Sequence, residues 1–306
     1  MLTQVLKTLA HSVISLFLLF TFVFFMIRIM PGDPARLLGG AGASDYDVQT
    51  LRESLGLDRS VMEQFLIFVR NVAQGDFGRS IQTGQPVGAE ILTALAWSFS
   101  LVTAAMLLAI AFAVPAGVVA AVKRNRLPDI SLTSIAVAST SLPAFWLALI
   151  LIEVFSVNLR LLPSGGTGDL RNYILPTVVL AATQVGLITR MTRASVVEVL
   201  TADYVRTARA KGVHPYRILL RHVLVNAAAP TVTVVGLQTG LVLAGSIVTE
   251  TIFNWPGVGR LLIRAVQARD YPMIQALILV FGVAMVTFNL LADLLNMLID
   301  PRLRKK

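Results

Sequence analysis

Cysteine is absent from the 306-residue chain. Disulfides, thiolate metal sites and cysteine nucleophiles are therefore excluded. Histidine is nearly absent too: His11, His214 and His222 are the only three, too few for a metal cage or a catalytic triad. None of the five lysines, Lys7, Lys123, Lys211, Lys305 and Lys306, lies between a glycine-rich turn and a Ser or Thr. A phosphate-binding P-loop needs that arrangement, so the chain is not expected to hydrolyse ATP by itself. No catalytic site is expected. Charge is scarce as well, at 14% of residues against 56% hydrophobic. Soluble domains carry about 25%. Low-complexity tracts are missing, as are the two matching halves that many secondary transporters display.

What is present is a set of long uncharged apolar runs, at residues 9–27, 97–122, 130–152, 174–189, 223–249 and 272–292. A helix rising ~1.5 Å per residue needs roughly 20 residues to cross a ~30 Å hydrocarbon core. All but one reach that length or nearly so; 174–189 is short and must borrow its flanks or sit inside a bundle. The Leu, Ile, Phe and Val residues of the first run favour insertion by a total of roughly 4–8 kcal/mol, which outweighs His11 and a few hydroxyls. That run exceeds a signal-peptide core and no small-x-small site follows it, so it reads as an uncleaved anchor. The expected fold is an all-α membrane protein with about six transmembrane helices.

A net charge of +9 would suggest nucleic acid in a soluble protein. Here the basic residues sort by loop, and no nucleic-acid partner is expected. One set of segments holds Lys7, Lys123, Arg124, Arg126, Arg190, Arg193, Arg206, Arg209, Lys211, Arg217, Arg221, Arg302, Arg304, Lys305 and Lys306. Only Asp129, Glu198, Asp203 and Asp300 oppose them there, whereas the other loops are balanced. Basic excess marks the cytoplasmic side, which places both termini inside a bacterial-type inner membrane.

The segments read as an N-terminal transmembrane helix (1–29), a folded periplasmic segment (30–96), a five-helix core (97–299) with a cytoplasmic loop at 190–222, and a basic tail (300–306). The periplasmic segment opens with the turn Met30-Pro31-Gly32-Asp33-Pro34. Ser60 and Glu63 fit a capping box for a helix whose apolar stripe includes Val61, Phe65, Phe68 and Val69. Such a helix is a connector, lies on the membrane, or meets a partner; docking is the favoured reading.

The loop 190–222 is the most informative stretch. Asp203 suits an N-cap, 204–211 can be helical, and Gly212 supplies a left-handed stop. His214-Pro215 restarts the chain with proline at a first helical position. Isolated helices shorter than ~12–15 residues are marginal in water, so this short basic helix is expected to gain order in a groove of a partner protein. A topology signal or anionic-lipid binding would also account for the charge. Neither explains the caps or the small residues Thr207, Ala208 and Ala210.

The stretch Asp203-Tyr204-Val205-Arg206-Thr207-Ala208-Arg209-Ala210-Lys211-Gly212, followed by Arg221, His222 and Asn226, resembles the EAA loop of ABC-importer permeases. More narrowly it is similar to the peptide/nickel subfamily, which includes dipeptide, oligopeptide and glutathione permeases, and most like their B-type subunits. The Met30–Pro34 turn, Gln74-Gly75-Asp76-Phe77-Gly78-Arg79-Ser80 and Phe253-Asn254-Trp255-Pro256-Gly257-Val258-Gly259-Arg260 agree with it. Arg206 and Asn226 stand where the general pattern has glutamate and proline, as in that branch, and argue against a carboxylate-based contact to the ATPase.

The resemblance implies a type I ABC-importer transmembrane domain working with a second homologous permease, two ABC ATPase subunits that bind the ATP and Mg, a solute-binding protein, and membrane lipid. It assigns coupling to Asp203, Tyr204, Arg206, Thr207, Ala208, Arg209, Ala210, Lys211 and Gly212. Candidate path residues are Gln238, Thr239 and Gly240, where 236–240 reads as a Gly-x-x-x-Gly packing face of either intrachain or partner use. Candidates for binding-protein docking are Phe65, Phe68, Asp76, Phe77 and Trp255. Asn289, Asp293 and Asn296 share a helix face, and Glu153 and Glu250 sit near helix ends; an interfacial or bundle hydrogen bond is the favoured reading for these acids. Small peptides or glutathione are the favoured cargo, with nickel complexes and opine-like conjugates as alternatives. An ion-coupled secondary transporter and a scaffold or insertase-like protein are the rival classes.

Overall fold

The structure, a computed structural model, describes residues 2–29, 35–36, 42–54, 56 and 58–299. The turn expected at 30–34 and the basic tail 300–306 lie outside the described residues, as do the side chains of Lys7, Arg28, Asp293 and Asn296. The described residues are almost wholly helical; strand character is limited to an isolated bridge between Arg79 and Pro86.

Helix α1 (Leu2–Ile29) is followed by the short α2 (Asp45–Ser54) and α3 (Val61–Ala73). Then come α4 (Val87–Val122), α5 (Leu127–Ser141), α6 (Ala144–Leu151, continued as a π-helical segment Ile152–Asn158) and α7 (Arg171–Leu200). At one end of the bundle lie α8 (Asp203–Ala210) and α9 (Pro215–Ile218), the latter running through π-helical Leu219–Val223 into α10 (Leu224–Ile252). The chain ends with α11 (Val258–Ala268) and α12 (Tyr271–Ile299).

Four segments are long and apolar enough to cross a membrane: Val87–Val122, Arg171–Leu200, Pro215–Ile252 and Tyr271–Ala292. The α5–α6 pair makes a fifth, bent by 97°, and α1 contributes the shorter apolar stretch Ala10–Met26. The short run at 174–189 draws on both flanks to become the 30-residue α7. The first core helix starts at Val87, earlier than the expected boundary near Trp97.

The run at 130–152 forms a bent span rather than a straight helix. Proline lacks the amide that a helix uses and its ring disfavours helical backbone at the preceding residue; Pro115, Pro176 and Pro230 are accommodated inside helices, whereas the chain breaks at Pro143. Leu142 is accordingly extended at φ −82° and ψ 124°, and α6 starts afresh after Pro143. The hydroxyls before the break turn back onto their own helix. Ser139 donates to the Ala136 carbonyl at 2.9 Å, and Thr140 and Ser141 donate to that of Val137 at 2.8 and 3.0 Å. Back-bonding of this kind satisfies the hydroxyls and favours bending.

The core is built around α7, which packs along α4, α5, α6 and α10. Leu101, Ala105 and Ala109 of α4 meet Leu180 and Ile188 of α7, Val242 and Leu243 of α10, and Trp255. Close approach depends on small residues, as in membrane bundles generally. A methyl group on Gly117 would lie 2.7 Å from both the Thr189 carbonyl oxygen and the Thr192 Cβ, so only glycine lets α4 and α7 touch there. Gly236 likewise faces Ala292, and Gly240 faces Met285, both on α12. The Gly-x-x-x-Gly pattern thus serves packing inside this chain.

The segment after α1 is ordered by the expected capping box. The Glu63 amide donates to Ser60 Oγ at 3.3 Å and the Ser60 amide donates to Glu63 Oε2 at 3.1 Å. These Ser60 contacts hold the Glu63 carboxyl below its ordinary pKa. Helix α3 then lies on α1, with Phe24 of α1 5.1 Å from Phe65 and 5.6 Å from Phe68 between ring centroids. The segment is tied to the start of α12 by Ser80, whose hydroxyl donates to Asp270 at 2.5 Å.

Candidate functional site

Helix α8 begins after Ala202, which is the N-cap in extended conformation, and Asp203 is the first helical residue rather than the expected cap. No side chain caps this end. Asp203 still carries negative charge into the first turn, where the helix dipole favours it. The far end is closed as expected. Gly212 adopts φ +74°, its amide donates to the Arg209 carbonyl at 2.9 Å, and the Val213 amide donates to the Ala208 carbonyl at 3.2 Å. This pair of bonds is the Schellman motif. His214 adds a cap that sequence reasoning missed: its Nδ1 accepts from the Tyr216 amide at 3.3 Å, ahead of Pro215.

The helix has two unlike faces. Val205 is fully buried and Ala208 half-buried, in a cluster with Ala121 of α4, Val196 of α7, Ile218, Val223 and Ala227. Asp203, Tyr204, Arg206, Thr207, Arg209, Ala210, Lys211 and Gly212 are exposed. The loose Asp203–Arg206 pair at 3.8 Å is open to solvent and contributes little. A polar recess lined by Lys211, Gly212, Val213, His214, Tyr216 and Arg217 lies beside the helix end. What results is a rod held by the bundle along one side, with a basic, aromatic-tipped side left bare.

The candidate path residues separate. Gln238 donates to Gln184 Oε1 at 2.8 Å, joining α10 to α7. Thr239 donates to the Val235 carbonyl and lines an apolar crevice of about 490 Å³ among α4, α7, α10 and α12. Gly240 is buried against α12.

The docking candidates also separate. Phe65 and Phe68 are engaged by α1, and Phe77 packs on the cluster formed by α4, α11 and α12. Asp76 is exposed and caps the turn by accepting from the Gly78 amide at 2.9 Å. Trp255 has no accessible surface. It packs against Trp97 and Tyr173, and its Nε1 donates to the Trp97 carbonyl at 3.1 Å, so burial removes it from any docking surface.

Three long-range polar links tie distant segments; sequence reasoning marked Glu250 for hydrogen bonding but named none of the partners, and it missed the roles of Asp129 and Asp270. Glu250, fully buried, accepts from Ser98 and Ser246 hydroxyls and from the Gly259 and Arg260 amides. Asp129 forms a two-pronged pair with Arg193. Asp270 receives Ser80. The signal available was weak: each is a lone acid at a helix end. Glu153 is exposed and accepts from Asn158 at 3.2 Å.

Comparison with known proteins follows the same architecture. In fold, the chain is similar to a chain of the MetNI methionine ABC transporter in an inward-facing conformation, at a TM-score of 0.58 and 15% identity, covering 69% of this chain and 96% of that one. In sequence it is 45% identical, over the whole of both chains, to the glutathione transport system permease protein GsiC of Escherichia coli K12. The protein of that name from Shigella flexneri serotype 5b matches equally, at 45%. Residues 1–103 match the N-terminal region of binding-protein-dependent transport system membrane components. Residues 113–305 match the family described as the binding-protein-dependent transport system inner membrane component, and with this coverage the chain belongs to that family of multi-pass inner-membrane permeases.

Proposed function

We propose that the chain is the pore subunit through which an ATP-driven importer moves small peptides of the dipeptide, oligopeptide or glutathione class, and that α8 is its contact with the motor. One observation carries the mechanical part: α8 is capped, fixed on one face by Val205 and Ala208, and bare on the other. A helix presented in this way fits a groove on another protein. Full-length similarity to glutathione permeases supports the cargo class. Nickel complexes and opine-like conjugates are the alternative cargo.

In this reading two ATPase subunits hold the ATP and Mg, and their closure draws α8 together with its counterpart on a second homologous permease. The bundle then tips between two states as a rigid-body switch. Both termini and α8 face the cytoplasm, and a binding protein delivers solute on the opposite face, near Asp76 and Phe77. Gln238 and Thr239 are the path candidates that keep some exposure. The test is uptake of labelled glutathione by proteoliposomes holding the complete transporter. Uptake should require ATP and persist with an ionophore; uptake that ignores ATP and collapses with the ionophore overturns the reading.

A further inference from the structure

Helices α5 and α7 run antiparallel and meet at two levels. At the lower level Arg193 of α7 grips Asp129 of α5, with Nε 2.5 Å from Oδ1 and Nη2 2.7 Å from Oδ2. Asp129 is only 4% exposed, and its remaining capacity is filled by the Asn125 amide at 2.8 Å and the Thr133 hydroxyl at 3.3 Å. Two parallel charged hydrogen bonds fix orientation as well as distance. At the upper level Gly186 of α7 lies against α5 so closely that a methyl group there would collide with the Ala136 carbonyl oxygen and the Thr140 side chain. The two levels are separated by the same number of residues on each helix, a span of ~10 Å.

The positions of these contacts give them a mechanical meaning. Below Arg193, α7 continues to Leu200, and only Thr201 and Ala202 separate it from α8. That corner is held: the Thr201 and Ala202 amides donate to the Glu198 and Val199 carbonyls, and Val196 and Val205 share one buried cluster. Above Thr140, α5 ends at Ser141 and the chain breaks at Leu142 and Pro143. A close contact therefore stands next to the helix break at one end and next to α8 at the other. Asp129 is buried while the Arg193 side chain is 28% exposed, so loss of Arg193 leaves a costly unpaired carboxylate, and the pair holds one registry.

We propose that α5 and α7 move as one body, with Asp129 and Arg193 as positioning residues that carry displacement of α8 to the break at Leu142–Pro143. The proposal rests on α8 being the contact with the ATPase.

The chain lacks cysteine, so introduced cysteines report alone. In the complete transporter, spin labels at Ser134→Cys on α5 and Ala194→Cys on α7, both exposed, should keep one distance through the nucleotide cycle. In Arg193→Gln or Asp129→Asn that distance should vary with nucleotide. ATP hydrolysed per labelled glutathione imported should rise about fivefold, the low end of typical couplings. The exchange Asp129→Arg with Arg193→Asp should restore both. A merely structural pair would lower yield or melting temperature while leaving that ratio at the wild-type value, and this result overturns the proposal. A distance that changes with nucleotide without the charge substitutions overturns it too, even if the charge variants fail to assemble. Failure of the α8 reading looks different, because a cross-linker at Ala210→Cys would then capture no ATPase.

Discussion

Ser98 of α4 donates its hydroxyl to Glu250 of α10 at 2.6 Å and in turn accepts the Val258 amide of α11 at 2.9 Å. The other Glu250 oxygen accepts the Gly259 and Arg260 amides at 2.8 and 3.2 Å, at the start of α11. A methyl group on Gly257 would collide with the carboxylate, and one on Gly259 would lie 2.9 Å from it. The loop carrying Trp255 is thus folded around one buried acid. Four donors converge on it, so Glu250→Ala strands them in an apolar site.

The expected cost of Glu250→Ala is about 3 kcal/mol or more. Glu250→Gln should be much milder, because its carbonyl can take the backbone amides while its amide group turns to the rotatable Ser98 and Ser246 hydroxyls. The check is the thermal unfolding midpoint of the purified chain. If Glu250 were a proton carrier instead, the Gln variant would abolish uptake at unchanged stability.

Gly212 has nothing within 4 Å of where a Cβ would stand, yet its φ is +74°. Any penalty of substitution there is one of backbone conformation. Left-handed backbone costs an ordinary residue roughly 1–2 kcal/mol, and Asn tolerates it best. Gly212→Asn should therefore transport normally. Gly212→Val should insert and accumulate normally but loosen the end of α8, so that ATP hydrolysis runs on while uptake falls. Wild-type uptake in the Val variant would remove Gly212 from the coupling device.

The apolar runs made the helical, lipid-embedded architecture readable, because burial in hydrocarbon leaves a one-dimensional trace. Local backbone chemistry was equally legible: the Ser60–Glu63 capping box and the stop at Gly212 involve residues near in sequence. The break at Leu142–Pro143 was not distinguishable from sequence, because Pro115, Pro176 and Pro230 stand inside continuous helices and the run around Pro143 is uncharged throughout. What sequence could not show were contacts between distant residues. Asp129 and Arg193 are 64 positions apart, and Ser98 and Glu250 are 152 apart. Periodicity marked the apolar face of α3 correctly, but not that α1 covers part of it.

Ala208 and Ala210 lie two residues apart on α8 and point differently. Ala208 is half-buried in the cluster with Val205, and Ala210 is exposed. A short bifunctional cross-linker at Ala210→Cys should capture the ATPase subunit in the assembled transporter. The same reagent at Ala208→Cys should capture it at least about tenfold less, because the thiol faces the bundle and reactivity follows access. Equal capture at both positions would mean that α8 is released from the bundle when the complex forms.

Phe65 and Phe68 remain the sharpest case of two readings for one apolar stripe. If they anchor α3 to α1, removing Phe24 should mimic removing Phe65, since the rings stand 5.1 Å apart edge to face. Phe24→Ala and Phe65→Ala should each release α3 to proteolysis, and the loss in the double variant should fall about 0.5–1.5 kcal/mol short of the sum of the two, the coupling expected of an aromatic pair. If Phe65 instead meets the binding protein, Phe24→Ala leaves delivery intact while Phe65→Ala weakens it alone. Limited proteolysis of the four chains of the cycle, run beside binding-protein titrations, separates the two. Anchoring predicts that protection and delivery fall together in both single variants, because a binding protein can only dock on a segment that stays in place.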